Sequence, residues 1–285
     1  MKVKTQKIKT LLDALPYIKE FRNKIVVIKY GGSAQTSPEL QEKFAQDITL
    51  LQLTGIKPVI VHGGGAKISD MLDKLKIPSE FVDGHRVTSE ESMRIVEMVL
   101  SGEINKNITS LLNYHGAKAI GISGKDSNAI EAQAKEGGKW GFTGEVTSIN
   151  YTMLEDLIEE GFVPVIAPIA NSAKPNHPGF NINADIAASK VASALGANKV
   201  LFLTDTKGVL DKEGELLNSL DKEDVDAYKE DGTIGGGMIP KVDSCIDAIY
   251  NGVTKAHIID GRVEHSILLE LFTSDGIGTQ FLQKN

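Results

Sequence analysis

The sequence has little of what would mark a secreted, membrane-spanning or nucleic-acid-binding protein. Cys245 is the one cysteine among 285 residues, so the chain can form neither an internal disulfide nor a cysteine-based zinc site, and we expect a reducing, cytoplasmic compartment. No run approaches the roughly 20 apolar residues that a membrane-spanning helix needs. The formal net charge is −7, because 38 acidic side chains outnumber 31 basic ones. This excess disfavours nucleic acid and acidic membrane surfaces as partners.

Several common site motifs are also missing. Gly124-Lys125 is followed by Asp126 and lacks the earlier glycine of a Walker A loop, and no G-x-G-x-x-G follows the first predicted strand. The chain has no G-x-S-x-G, and its six histidines show no ligand spacing such as H-E-x-x-H. We therefore expect no metal site built from side chains, and a phosphate-handling site would have to use another architecture.

What the chain does have is a regular alternation of apolar runs and helical patterns. A length of 285 residues predicts about two domains, or one large α/β domain with two lobes. The apolar runs that predict buried strands are Lys24–Lys29, Lys57–Val61, Lys118–Ile122, Phe162–Pro168, Lys199–Thr204 and Ala256–Ile259. The helical patterns are Glu39–Leu53, Ala66–Leu75, Glu90–Asn113, Met153–Glu160, Ala184–Leu195, Pro240–Tyr250 and Glu264–Leu271. This alternation predicts a three-layer αβα sandwich with a mainly parallel central sheet.

Local signals support these boundaries. Ser37 before Pro38 predicts a helix N-cap, and Thr88 with Glu91 has the spacing of a capping box. The segments Trp140–Asn150 and Leu210–Leu217 are typical of hairpin or turn insertions.

Two predicted strands end in consecutive glycines. The first leads into Lys29-Tyr30-Gly31-Gly32-Ser33, and the second into His62-Gly63-Gly64-Gly65. Glycine allows backbone N–H groups to approach a ligand closely, and such groups at helix starts bind phosphate or carboxylate oxygens. Ligands of open parallel sheets bind at the carboxyl ends of the strands. A pair of tight turns is the alternative, but two such loops in one sheet favour a site for two anionic groups.

Three basic residues could supply positive charge to such a site. Lys29 ends an apolar strand, and Lys241 stands at a predicted helix start, where the helix dipole disfavours a cation. A lysine that reaches water is the alternative for each. Arg86 has the planar fork that suits a carboxylate, although on its own it is typical of an exposed arginine.

The segment from Gly179 to Asp185 leads into a helix. Asn183 as the N-cap and Asp185 in the first turn are explained by the helix start. Asn181 has no such explanation, which makes it a candidate binding residue.

Five segments together resemble the N-acetylglutamate kinases of the amino acid kinase family. They are Lys29–Ala34, His62–Gly65, Gly84–Thr88, Asn181–Asp185 and Gly236–Lys241. The resemblance implies one domain over residues 1–285, with an N-acetyl-L-glutamate lobe at 23–180 and an ATP lobe at 181–285. It implies that ATP, with Mg²⁺ bound mainly through the phosphates, phosphorylates the side-chain carboxylate of N-acetyl-L-glutamate in arginine biosynthesis.

The resemblance also implies roles for individual residues. Lys29 and Lys241 would stabilise the transition state, and Asp185 would hold both lysines in place. The residues that would bind the acetylated amino acid are Gly63, Gly64, Gly65, Arg86 and Asn181. Those that would bind ATP are Gly31, Gly32, Thr204, Asp205, Gly208, Gly236, Gly237 and Met238.

Both ends of the chain suggest regulation. One face of the predicted N-terminal helix carries Ile8, Leu11, Leu12, Leu15 and Ile18, which could simply pack on the sheet. However, Ala14–Ile18, Glu264–Glu270 and Gly276–Thr279 resemble the arginine-inhibited, hexameric branch of these kinases. This second resemblance implies an oligomerisation helix at residues 1–22, a homohexamer built as a trimer of dimers, and L-arginine as inhibitor. The implied arginine-binding residues are Tyr17, His265, Glu270, Gly276 and Gly278.

Two alternatives stay open. A sister kinase of the same fold could act on free glutamate or another small carboxylate. A non-catalytic arginine sensor could keep the fold and the arginine site, but the presence of both lysines and of Asp185 disfavours it.

Overall fold

The structure, a computed structural model, describes residues 8–10, 12–82 and 85–284. Leu11 and Gly84, which belong to the sequence patterns above, lie outside the described residues. The strands are β1 (Ile25–Tyr30), β2 (Lys57–His62), β3 (Glu80–Val82), β4 (His85–Val87), β5 (Ala119–Ser123), β6 (Ile130–Ala134), β7 (Gly144–Ile149), β8 (Val163–Ala167), β9 (Ile169–Ser172), β10 (Phe180–Asn181), β11 (Lys199–Thr204), β12 (Ser219–Leu220), β13 (Lys255–Asp260) and β14 (Thr279–Phe281). The helices are α1 (Leu15–Phe21), α2 (Pro38–Leu53), α3 (Gly65–Lys74), α4 (Glu90–Glu97), α5 (Asn105–Tyr114), α6 (Tyr151–Glu159), α7 (Ala184–Ala194), α8 (Lys222–Glu230), α9 (Ile239–Tyr250) and α10 (Ser266–Phe272).

The central sheet contains all six strands that the apolar runs predict. Its eight strands follow the order β12-β14-β13-β11-β1-β2-β8-β5. The pairs from β13 through β11, β1, β2 and β8 to β5 are parallel, whereas β14 runs antiparallel to β13 and parallel to β12. The mainly parallel sheet is therefore confirmed, with a reversal at one edge. A four-stranded sheet, β10-β9-β6-β7, and the hairpin β3-β4 lie beside it.

Helices cover both faces of the central sheet. Along β1, Val27 packs toward α6 to α9, while Val26 and Ile28 pack toward α1, α2, α5 and α10. Because successive residues of a strand point to opposite faces, each strand contributes to both layers of core. The three-layer sandwich is confirmed. Within the described ranges, no helix combines the length and the apolar character needed to cross a bilayer.

The predicted helix Glu90–Asn113 is interrupted. Residues Met98–Ile104 form a π-helical turn between α4 and α5. The apolar pattern continues through this turn, so the sequence does not signal it. π-helical turns are rare and occur often at functional sites, and this one packs against the loop that follows β2.

Of the two predicted helix caps, one is confirmed and one is wrong. The Ser37 hydroxyl accepts a hydrogen bond from the Leu40 N–H at 3.3 Å. At α4, however, Ser89 is the N-cap and accepts from the Ser92 N–H at 3.1 Å. Thr88 is instead buried beside Gly141 in an isolated bridge. Both predicted insertions form antiparallel pairings. In the insertion Trp140–Asn150, β7 pairs with β6, and in the insertion Leu210–Leu217, Leu210 forms a bridge with Leu216.

Candidate active site

Three charged residues meet at the carboxyl ends of the parallel strands. Lys29 belongs to β1, Asp185 to the first turn of α7, and Lys241 to the first turn of α9. Lys29 Nζ lies 3.0 Å from Asp185 Oδ1, and Lys241 Nζ lies 2.7 Å from Asp185 Oδ2. The Asn183 side chain caps α7 by accepting from the Asp185 N–H at 2.8 Å, which fixes the start of the helix. Two cations thus share one carboxylate.

Burial and charge oppose each other in this cluster. Burial lowers the pKa of Lys29, while the charge of Asp185 raises it and that of Lys241 lowers it further. For Asp185, burial alone would raise the pKa, but the two ammonium groups outweigh burial and hold it below its ordinary value. Asp185 is therefore a carboxylate at neutral pH. With two lysines against one carboxylate, the cluster carries an unbalanced positive charge.

The first glycine loop, which follows β1, is tied to a residue that follows the neighbouring strand β11. The Ser33 N–H donates to Asp205 Oδ1 at 2.7 Å. Gly32 has φ +66°, and a Cβ at this position would lie 2.6 Å from the same oxygen. A side chain is excluded there by both strain and space. This contact brings Asp205 next to Gly31 and Gly32.

The second glycine loop borders a cleft of about 220 Å³. Gly65 opens α3, so the loop lies at a helix N-terminus, where the first N–H groups have no partner within the helix. A Cβ at Gly64 would lie 2.4 Å from Ile104 Cδ1 and 2.6 Å from Leu100 Cδ2, both from the π-helical turn. The cleft is lined by Lys29, Gly31, Gly32, Gly63, Gly64, Gly65, Ile68, Phe81, Arg86, Leu100, Thr143, Pro168, Asn181, Ile182, Asn183, Ala184 and Asp185.

Arg86 is buried, which corrects the exposed alternative. It is 5% exposed. Its Nη2 donates to the Gly65 carbonyl at 3.0 Å and to Ser69 Oγ at 2.9 Å, and its Nη1 donates to Ser79 Oγ. Its guanidinium lies 4.4 Å from the centre of the Phe81 ring. Burial lowers the pKa of Arg86, but an arginine remains charged at neutral pH. Arg86 therefore places a fixed cation on the cleft wall, joined to the second glycine loop.

Two buried hydroxyl groups support Asn181, and sequence reasoning missed both as site residues. Asn181 Nδ2 donates to Thr88 Oγ1 at 3.2 Å, and Thr88 Oγ1 lies 3.1 Å from Thr143 Oγ1. Thr88 lies in a segment that the resemblance quoted, whereas nothing in the sequence around Thr143 distinguishes it. Together they fix the amide of Asn181 at the cleft.

The predicted ATP-binding residues do not all lie together. Thr204 ends β11, and Asp205 follows it beside the first glycine loop. Gly208 faces β14: its φ is +151°, and a Cβ there would lie 2.6 Å from Thr279 Oγ1. Residues Gly236–Met238 form an exposed 3₁₀ turn that leads into α9 and hence to Lys241.

A second pocket, of about 580 Å³, lies near both ends of the chain. Tyr17, Glu270, Gly276 and Gly278, four of the five residues of the expected arginine site, line it. His265 is not among the residues that line this pocket; its Nδ1 lies 2.5 Å from Asp47 Oδ1.

Glu270 is the centre of this second pocket. Its Oε1 lies 2.9 Å from Lys199 Nζ and 2.9 Å from His257 Nε2, and its Oε2 accepts from the Ile277 N–H at 2.8 Å. Burial alone would raise the pKa of Glu270, but the hydrogen bond and charge of His257 and the charge of Lys199 lower it to about 2. Lys199 and His257 were not predicted. The sequence did offer one signal for Lys199, because a lysine at the start of a buried strand needs a counter-charge.

Across residues 8–10, 12–82 and 85–284, no group of three or more His, Cys, Asp or Glu side chains is arranged to hold a metal ion. This donor set fits a Mg²⁺ ion that is bound through nucleotide phosphates rather than by a cage of carboxylates.

The sequence profile of the amino acid kinase family matches residues 24–260. The chain belongs to this family. Membership implies the use of ATP.

Within the family, the similar curated relatives are acetylglutamate kinases. The chain is 72% identical to acetylglutamate kinase from Aliarcobacter butzleri, with 97% of this chain and 92% of that protein covered. It is 65% identical to acetylglutamate kinase from Sulfurimonas denitrificans, with 98% of this chain and 99% of that protein covered. The resemblance to these kinases, and the expectation that the chain is itself a kinase, are confirmed. These relatives also support the kinase reaction of arginine biosynthesis.

Among solved structures, N-acetylglutamate synthase from Neisseria gonorrhoeae in complex with coenzyme A and N-acetylglutamate has a TM-score of 0.86 at 24% identity. The match covers 98% of this chain and 64% of the synthase chain. At this identity the likeness concerns the fold alone.

Proposed function

We propose that the cluster of Lys29, Asp185 and Lys241 is the catalytic centre that transfers the γ-phosphoryl group of MgATP to the side-chain carboxylate of N-acetyl-L-glutamate. One observation carries the proposal. A buried carboxylate holds two lysine ammonium groups, at 3.0 Å and 2.7 Å, beside a cleft bordered by two glycine loops. This arrangement offers unbalanced positive charge at a site whose substrates are anions.

The nucleophile needs no general base. A side-chain carboxylate with an ordinary pKa of about 4 is already ionised at neutral pH. One of its oxygens attacks the γ-phosphorus, the bond from that phosphorus to the bridging oxygen breaks, and ADP leaves with the electron pair. No proton is transferred, so the enzyme must overcome the repulsion between two anions.

The cations and backbone N–H groups answer this repulsion. As the phosphoryl group passes between the two oxygens, its charge spreads over the equatorial oxygens. Preorganised positive groups stabilise that charge more than they stabilise the bound substrates, which lowers the barrier. Lys29 and Lys241 supply the ammonium groups, the loops at Gly32 and Gly64 supply N–H donors, and Asp185 keeps the lysines in place.

Arg86 and Asn181 favour an acetylated amino acid as the acceptor. The three hydrogen bonds of Arg86 use three of its five N–H donors. The others can bind the carboxylate that does not react. The amide of Asn181, held by Thr88, can bind the polar groups around the amino acid nitrogen. In this proposal residues 23–180 form the acceptor lobe.

The nucleotide belongs to the lobe of residues 181–285. Thr204, Asp205 and Gly208 would border the adenosine, and Gly236–Met238 would meet the phosphates beside Lys241. Mg²⁺ would bridge the phosphate oxygens and neutralise part of their charge.

The test is ADP release with MgATP and either N-acetyl-L-glutamate or free L-glutamate, with hydroxylamine to trap the acyl phosphate. We expect turnover on the acetylated substrate alone. A preference for free glutamate would reassign Arg86 and Asn181 and indicate a sister kinase. Turnover on neither would favour the non-catalytic sensor.

We also propose that L-arginine inhibits the enzyme through the second pocket. Glu270 and the carbonyl groups near Gly276 and Gly278 can receive a guanidinium, and Lys199 can bind the carboxylate of the same amino acid. Tyr17 lines this pocket from the N-terminal helix, next to the proposed oligomerisation segment of residues 1–22.

Deletion of residues 1–22 tests this regulation. We expect hexamers to be lost and the inhibitory concentration of arginine to rise. The measurements are light scattering and the same ADP assay across an arginine titration. A truncated protein that remains hexameric would contradict the role of the N-terminal helix.

A further inference from the structure

One buried imidazole at the candidate active site has no role in the proposed chemistry. His62 is the last residue of β2 and directly precedes the second glycine loop. It is 0% exposed and is not among the residues that line the cleft. Its two ring nitrogens nevertheless both have partners: Nδ1 lies 3.0 Å from the Gly63 carbonyl oxygen, and Nε2 lies 3.2 Å from Asn105 Nδ2.

Asn105, which opens α5 directly after the π-helical turn, has its amide orientation fixed by its surroundings. Nδ2 lies 3.1 Å from the Ile122 carbonyl oxygen and 2.8 Å from the Val165 carbonyl oxygen, while Oδ1 lies 3.1 Å from Lys106 Nζ. The reverse orientation would set an amide oxygen against two carbonyls and an amide nitrogen against an ammonium. Asn105 is fully buried, so water cannot relieve such contacts. Nδ2 therefore faces His62.

The position of Asn105 also constrains Gly121, a residue of β5 that is its neighbour in space. A Cβ at Gly121 would lie 2.1 Å from Asn105 Oδ1. A glycine in β5 is otherwise unfavourable, and here it makes room for this amide.

An amide NH₂ group cannot accept a hydrogen bond, so the Nε2 of His62 that faces it carries no proton. The two amide hydrogens are shared among Nε2 and the carbonyl oxygens of Ile122 and Val165. The neutral imidazole then carries its proton on Nδ1 and donates it to the Gly63 carbonyl. Burial, which lowers the pKa of His62 to about 4, agrees with a neutral ring.

The Gly63 carbonyl fixes the direction of the next N–H group. It also accepts from Gln35 Nε2 at 3.2 Å, so two donors hold it away from the cleft. In a trans peptide the C=O and the following N–H point in opposite directions. The Gly64 N–H therefore points away from His62 and Gln35, and no hydrogen bond occupies it among the residues that the structure describes.

We propose that His62 and Asn105 form a positioning pair, in which the amide of Asn105 fixes the imidazole proton on Nδ1 and the imidazole aims the Gly64 N–H at the oxygen of an anionic acceptor. The pair links the π-helical turn to the glycine loop. The proposal rests on the proposed function only in that Gly64 serves the acceptor. Neither residue touches substrate, so their effect passes through the backbone of the loop.

The first test is independent of activity. Nitrogen NMR of the full chain, with its histidines labelled with ¹⁵N, reports the tautomer of each ring, and loss of one signal set in His62→Phe identifies His62. We expect the Nδ1–H tautomer, with shifts that stay constant from pH 6 to 8. A proton on Nε2, or an imidazolium in that range, would overturn the proposal.

The second test replaces one amide by a carboxylate of the same shape. In Asn105→Asp the side chain accepts instead of donating, so we expect the proton of His62 to move to Nε2 and kcat to fall roughly tenfold to a hundredfold, less than or equal to the effect of losing an oxyanion donor outright. The KM for ATP should stay within about twofold, since the pair acts on the acceptor loop.

Asn113→Asp is the matched control. Asn113 is also in α5 and also bonds β5, through the Ala119 carbonyl at 3.0 Å and the Ala119 N–H at 2.9 Å, but it does not touch His62. Its replacement should keep the His62 tautomer and kcat. If Asn105→Asp folds and matches the control in both the His62 tautomer and kcat, the pair has no positioning role. If Asn105→Asp does not fold, the His62 tautomer measured in the unaltered chain decides the proposal. The unaltered chain could show the Nδ1–H tautomer of His62 and still lack turnover. That result would contradict the proposed kinase reaction but not the pairing of His62 with Asn105.

Discussion

Two buried carboxylates in this molecule are each held by two nitrogen-bearing side chains, yet the sites differ in net charge. Asp185 lies between two lysines, whereas Glu270 lies between Lys199 and His257. A lysine keeps its charge near neutral pH more readily than a buried histidine does.

The histidine changes the sum of charges. Burial lowers the pKa of His257, although its hydrogen bond to Glu270 acts in the opposite direction. Counting only lysines and carboxylates, the Glu270 cluster has one lysine for one carboxylate, while the Asp185 cluster has two lysines for one carboxylate. The comparison teaches that the lysine and carboxylate charges of the Glu270 cluster balance each other, whereas the excess positive charge of the Asp185 cluster favours an anionic ligand.

Removing a cation from the Asp185 cluster is the most direct way to break this comparison. In Lys29→Met or Lys241→Met, we expect kcat to fall by roughly 10²–10³-fold, about 3 to 4 kcal/mol, because a preorganised cation is lost where charge develops. The ADP-release assay measures it. Lys190→Met is the control: Lys190 lies on α7 like Asp185 and pairs with Asp247 at 2.8 Å, away from the cleft. Near-normal turnover in either lysine variant would contradict the catalytic assignment.

Removing the carboxylate from the balanced cluster should act on stability. In Glu270→Gln, we expect the free energy of unfolding to fall by about 3 kcal/mol, because Lys199 is left buried without a counter-charge. Urea unfolding followed by circular dichroism measures it. Asp70→Asn is the matched control, since Asp70 pairs with Lys74 in water. It should cost much less than Glu270→Gln does, because water solvates both groups of that pair. An equal loss of stability in both variants would mean that burial of the Glu270 pair contributes nothing.

A third buried carboxylate, Asp47, has a histidine as its hydrogen-bonded partner and shows what happens when no buried lysine holds the carboxylate. Burial raises the pKa of Asp47 to about 6, and the hydrogen bond and charge of His265 and the charge of Lys43 only partly oppose it. The folded state then binds more protons than the unfolded state between about pH 4 and 6, so the free energy of unfolding decreases as the pH rises through this range.

Asp47→Asn should remove that pH dependence, which amounts to about 3 kcal/mol for a shift of about two pKa units. Thermal unfolding at pH 4, 5, 6 and 7 measures it. Glu42→Gln, in the half-exposed pair with His115, provides the comparison. If the Asp47 variant keeps the original slope, another group titrates in this range.

The sequence predicts the central sheet well because its six parallel strands are buried on both faces and form continuous apolar runs. It misses short pairings such as β9 with β10, where two residues on each strand suffice. The π-helical turn at Met98–Ile104 leaves no signal either, since the apolar spacing on both sides still fits a helix.

The site residues also fall into two groups, those that the sequence indicates and those that only the fold reveals. Glycine loops and lysines next to strand ends are recognisable because they are unusual where they stand. Thr143, by contrast, is an ordinary threonine until the fold brings its hydroxyl 3.1 Å from that of Thr88. The unexpected partners of Glu270 come from two different strands of the sheet, so only the strand order reveals that they meet.

The reversed strand β14, second from the edge of the sheet, joins the proposed arginine site to the proposed nucleotide site. β14 begins directly after Gly278 of the second pocket, and the hydroxyl of its Thr279 accepts from the Val209 N–H at 2.8 Å, next to Gly208 of the proposed nucleotide site. One rigid segment thus touches both places. Thermodynamic linkage is symmetrical, so any factor by which arginine changes the affinity for nucleotide across this strand is the factor by which nucleotide changes the affinity for arginine. Under the proposed regulation, a rise in nucleotide concentration would therefore shift the arginine titration curve of the enzyme by that same factor.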